Sequence, residues 1–172
     1  MKIKYNLTEE DYLSFSLYHA KHSEATRKSL RTQLLIFPML FLIIAFLYTW
    51  LFKQPILWPL IIFMVLSILW LVLYPKYFYN FVKRYAKNML QEAGNNGLLG
   101  DHVMTFSEKG IVDSTSSGKT NRDWVDIINL QENDEYLYIY SSKTTAYIVP
   151  KRALNSVEKT RDYIQANLIE TE

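Results

Sequence analysis

The 172-residue chain contains no cysteine, which excludes disulfides, thiolate metal sites and cysteine nucleophiles together. Charge is missing just as completely from two stretches. Residues 34–52, LLIFPMLFLIIAFLYTWLF, and 55–74, PILWPLIIFMVLSILWLVLY, hold no Asp, Glu, Lys, Arg or His. Proton relays and ion pathways are built from such side chains, so their absence argues against a pump or transporter. A large charge surplus is lacking too: the formal net charge is +2, and the basic residues gather beside the apolar runs. Nucleic acid is therefore not an expected partner.

Each apolar run has the roughly 20 residues needed to cross a hydrocarbon core of about 30 Å. One helix through both would be about 60 Å long and would hold Lys53 in its middle at a cost of several kcal/mol. A turn at Lys53-Gln54-Pro55 avoids both penalties, and Tyr48, Trp50 and Trp58 supply amphipathic rings for the water interface beside it. The first run follows more than thirty polar residues and exceeds a signal h-region in length, so it is expected to remain in the mature chain. Lys21, Arg27, Lys28 and Arg31 precede the hairpin, and Lys76, Lys83, Arg84 and Lys87 follow it. The positive-inside bias then places both termini in the cytoplasm. Pro38 and Pro59 are expected near the starts of their spans, where a lost hydrogen bond costs least.

Residues 1–33 begin with strand periodicity, Ile3, Tyr5 and Leu7 alternating with Lys2, Lys4 and Asn6. Thr8 can cap a following helix whose first turn carries Glu9, Glu10 and Asp11. A lone strand needs a partner, and the only β-rich region lies beyond residue 100, so residues 2–7 are expected to pair there. Residues 75–97 read as a basic, aromatic helix and a linker, with GNNGLLG (94–100) as the joint. In 98–172 the runs HVMTFSE, GIVDSTS, DWVDIINLQ, EYLYIYSS and TAYIVP predict an antiparallel meander of about five strands. Asn155 or Ser156 would cap a closing helix bearing Val157, Ile164 and Leu168 on one face. The fold class is α+β: a two-helix transmembrane hairpin carrying a small sheet capped by a C-terminal helix.

The N-terminal YNLTEEDY, the double span, and DWVDI followed by YIVPKRAL together resemble the YcxB-like family of bacterial membrane proteins. Its C-terminal domain is similar to bacterial pleckstrin-homology-like modules. The resemblance covers essentially the whole chain, with Trp124-Val125-Asp126-Ile127 and Ile148-Val149-Pro150-Lys151-Arg152 its most specific part. It implies a helix-capped sheet and a bacterial inner-membrane location, and it implies no substrate.

Motifs of catalysis and cofactor binding do not assemble. Gly118-Lys119-Thr120 ends like a phosphate-binding loop, but Asp113 stands where its first glycine belongs. Gly94, Gly97 and Gly100 follow no strand. His19 and His22 lack a third ligand at fixed spacing, and Asp123 and Asp126 lack a histidine or nucleophile; His102 is expected to face solvent or close a strand. No cofactor, metal or enzymatic activity is expected. The expected role is a binding or scaffold module contacting a protein through Trp124 and the tyrosine ladder Tyr136, Tyr138 and Tyr140. The alternative is a reader of acidic lipids through Lys151, Arg152, Lys83, Arg84 and Lys87; a membrane-embedded enzyme or oligomeric pore is the third reading, which charged or metal-binding side chains in the spans would have supported.

Overall fold

The computed structural model describes residues 1–92 and 98–169. Most of the joint expected at 94–100 lies outside these residues. The chain divides into two compact units, Met1–Ser16 with Ala86–Glu172, and Leu17–Tyr85.

The first unit is β-rich. Strand β1 (Lys2–Leu7) leads into helix α1 (Glu9–His22), and Gly100–Ser107, Gly110–Thr115 and Gly118–Asp123 form β2, β3 and β4. These strands make an antiparallel sheet in the order β1-β2-β3-β4, with Tyr5 opposite His102 and Ile3 opposite Met104. The expectation that residues 2–7 pair with the later sheet is met. A second antiparallel sheet holds β5 (Asn129–Glu132), β6 (Tyr136–Tyr140) and β7 (Ala146–Pro150), and α4 (Val157–Ile169) closes the unit. Two sheets thus replace the single meander. The strand missing from the sequence reading is β4, GKTNRD, whose six residues are all exposed, so no apolar alternation announces it.

Local chemistry explains the joints. Thr8 and Asp11 form a reciprocal cap at the start of α1: Thr8 N–H donates to Asp11 Oδ2 (2.9 Å), and Asp11 N–H donates to Thr8 Oγ1 (3.3 Å). Lys159 N–H reaches Ser156 Oγ at 3.3 Å and so caps α4 as expected. At the β2–β3 turn Gly110 has φ +150°, and a Cβ there would lie 2.8 Å from Asp123 Cα. Only glycine allows β4 to approach so closely. DWVDI is a 3-10 turn at Trp124–Asp126 rather than a strand. Its burial has period three: Trp124 and Ile127 are buried, while Val125 and Ile128 are exposed.

The second unit contains most of two long apolar helices, α2 (Glu24–Phe52) and α3 (Leu57–Glu92). Lys53 ends α2 in the left-handed region at φ 50°, ψ 33°, and the chain reverses before Leu57, as the Lys53-Gln54-Pro55 turn required. Within the pair Phe37 meets Trp70 at 4.3 Å between ring centroids, and Ala45 is fully buried. Thr49 and Ser67 hydroxyls donate to the carbonyls of Ala45 (2.9 Å) and Phe63 (2.8 Å), satisfying themselves within their own helices. Two expectations are corrected. Because α2 begins ten residues before its apolar run, Pro38 falls in the helix interior. Likewise α3 runs through Pro75, so the basic segment continues the second apolar helix instead of starting a new one.

Candidate functional site

Strand alternation sends Ile3, Tyr5 and Leu7 of β1, and His102, Met104 and Phe106 of β2, to the buried face of the first sheet. Asp113 of β3 is registered between Met104 and Thr120. One end of this face is therefore apolar, around Met104, Phe106 and Ile111, and the other is polar. The polar end opens into a cleft of about 430 Å³ whose walls include Tyr5, His102, Asp113, Lys119, Arg122 and Tyr147.

At its floor lies an ion pair. His102 Nδ1 and Asp113 Oδ2 are 2.9 Å apart, with side chains only 8% and 9% exposed. The Tyr5 ring stacks on His102 at 5.3 Å and 7°. Burial opposes charge on His102, but the hydrogen bond and charge of Asp113 outweigh it, aided by the Leu98 carbonyl and Asp101, and raise the imidazole above its ordinary pKa. Tyr5 is pushed well above the phenol range by burial, then by Asp113 and Tyr147. Asp113 Oδ1 is buried without a hydrogen-bond partner among the described residues. On the rim, Lys119 and Arg122 form no ion pair among those found in the described residues.

The residues expected to make contacts are engaged elsewhere. Tyr136, Tyr138 and Tyr140 are 5%, 0% and 6% exposed, because α1 covers them. Phe15 packs on Tyr138 (5.4 Å) and Tyr140 (6.1 Å), and Tyr136 O–H donates to Asp11 (2.7 Å). The tyrosine ladder is thus core, not a contact surface. Trp124 is buried and donates from Nε1 to the Ser107 carbonyl at 2.9 Å.

Arg152 forks onto Asp11 at 2.8 and 2.6 Å. Lys151 pairs with Glu132 at 3.0 Å, its own backbone N–H donating to the Glu135 carbonyl. The cations and amides of that junction are not arranged around an open anion site. Lys87 pairs with Glu9 at 3.0 Å, while Lys83 and Arg84 are exposed on α3. Contrary to expectation, His102 is interior. Fixing the β2–β3 register at Lys109-Gly110 would have placed it on one face with Asp113; that was the available signal.

These features define an α+β chain: an apolar helical hairpin joined to a two-sheet β domain with a closing helix and a polar cleft. Residues 106–166 match the family model of YcxB-like proteins, which bears out the resemblance seen in Trp124–Ile127 and Ile148–Arg152. No curated protein and no solved structure matches this chain.

Proposed function

We propose that this chain is a non-catalytic bacterial inner-membrane protein whose helical hairpin holds a pleckstrin-homology-like binding module in the cytoplasm. We place its contact site in the cleft between the sheets. The observation that supports this reading is the buried His102–Asp113 pair, whose Asp113 Oδ1 is left unanswered where the domain opens into the cleft.

Membrane insertion is supported by the outward faces of the helices. Leu35, Trp50, Trp58 and Ile68 are 56–78% exposed, and a helix in the core of a soluble protein would bury such side chains. Further along α3, Tyr77, Phe81, Tyr85 and Met89 recur every fourth residue and are 46–65% exposed, an apolar stripe that continues past the charge-free run.

The absence of cysteine makes orientation directly measurable. In intact cells Lys53→Cys should react with a membrane-impermeant maleimide, and Lys143→Cys only after permeabilisation; the reverse pattern would overturn the orientation. The cleft is tested through the NMR signal of His102 in the full chain in nanodiscs. Movement by some member of a panel of carboxylates, amines, sugars and phosphate esters supports it, and a signal unmoved across the panel removes it.

A further inference from the structure

The chemistry of the cleft narrows its ligand, on the reading that the cleft is the binding site. Its rim carries Arg122, which alternation along β4 sets on the cleft face with Thr120, opposite Ile111 and Asp113, while Lys119 is set on the other face. Polar edge strands do guard sheets against aggregation. That role alone does not bring a guanidinium, hydrogen-bonded to the Tyr147 side chain, to the lip of a cleft above the buried His102–Asp113 pair. Around the mouth, Thr115, Ser117, Thr120, Ser141 and Thr145 add hydroxyls. Arg122 repels a cationic ligand. An anion without hydroxyls would leave Asp113 Oδ1 facing like charge with no proton to accept.

A phosphate ester of a polyol answers every group. Its dianion suits an arginine and several hydroxyl donors better than a planar carboxylate would. Its hydroxyls donate as well as accept, so one can give a proton to Asp113 Oδ1. Tyr5 and Tyr147 flank the space with aromatic surface, and about 430 Å³ lies within the usual range of small-ligand pockets.

We infer that the cleft between the two sheets binds a small polyol phosphate, with the phosphate at Arg122 and the hydroxyls on the His102–Asp113 pair. The same chemistry is presented by a soluble sugar phosphate and by the glycerophosphate headgroup of a membrane lipid.

The test uses the full chain in phosphatidylcholine nanodiscs, with its three histidines isotope-labelled so that His102 is followed by NMR. Glycerol 3-phosphate and glucose 6-phosphate are titrated in, with inorganic phosphate and glycerol as controls; a parallel sample carries phosphatidylglycerol. A saturable shift of His102 with an ester, at least tenfold weaker in Arg122→Gln, supports the proposal and assigns a soluble source. A shift of equal sensitivity to that variant, seen only with phosphatidylglycerol, supports it and assigns the lipid. Because Arg122 is exposed, the variant should keep its fold, verified by unchanged β-strand amide signals.

Equal binding by the Arg122→Gln variant, or inorganic phosphate binding as tightly as the esters, overturns the proposal. If carboxylates or amines move His102 and phosphates do not, this ligand class falls while the cleft stands as a binding site. If nothing moves it, both fall.

Discussion

Deletion of residues 2–7 is expected to unfold the β domain. Strand β1 pairs with β2 through six registered positions, and Met1 extends the edge through its ammonium group, which donates to the Phe106 carbonyl at 2.8 Å. Ile3, Tyr5 and Leu7 are 6–8% exposed. At about 1.5–3 kcal/mol for each buried side chain, their removal costs on the order of 5 kcal/mol, comparable with the whole stability of many small domains. The cut also leaves β2 as a bare edge and strips Tyr5 from His102. Hydrogen exchange should show protection lost across β2 and β3, whereas the hairpin helices keep theirs. Unchanged protection in β2 would mean that the N-terminal strand adds nothing to the sheet.

Asp11→Ala should be nearly as damaging, at about 3 kcal/mol, because one carboxylate holds together three distant parts of the chain. Asp11 is 2% exposed and accepts from Thr8 N–H, Tyr136 O–H and both arms of Arg152. Breaking wholly buried ion pairs costs about 3–5 kcal/mol and exposed ones under about 1. With its side chain 55% exposed, Arg152 falls between, so Arg152→Ala should cost about 2 kcal/mol.

Burial disfavours the charge on Asp11, but the hydrogen bonds from Arg152, Thr8 and Tyr136 prevail and hold its pKa well below the usual carboxylate range. The folded state therefore binds this proton less readily than the unfolded chain, whose aspartates titrate near about 3.9. The stabilisation is complete above about pH 5 and is lost as acid approaches the folded value. Melting curves of the wild-type chain and Asp11→Asn should consequently be well separated at pH 7 and draw together progressively as the pH falls below about 4, meeting only near the folded value. A separation independent of pH would show that the charge of Asp11 contributes nothing.

The same geometry explains why Arg152 was a misleading candidate. In the sequence it is a cation at a strand-to-helix junction near basic helices, which suits an anionic headgroup. In the fold its partner is Asp11, 141 positions away, and no local pattern announces a pairing over that distance. The tyrosine ladder misled for a related reason: alternation established that Tyr136, Tyr138 and Tyr140 share a face, while only the docking of α1, through Phe15 and Asp11, decided that this face is interior.

By itself the sequence determined whatever depends on neighbours along the chain. Charge-free runs of sufficient length made two apolar helices, and Lys53-Gln54-Pro55 turned them. Thr8 and Ser156 capped helices because their side chains reach amides three residues on, and strict alternation made residues 2–7 a strand. Tertiary structure alone decided that β4 exists, since a strand of exposed polar residues is held by its ladder to β3 rather than by burial. It also split the strands into two sheets, turned Trp124 inward, and brought His102 and Asp113 together at the floor of a cleft. Those outcomes depend on which surfaces exclude water together, and that is a property of the packed chain rather than of any short segment.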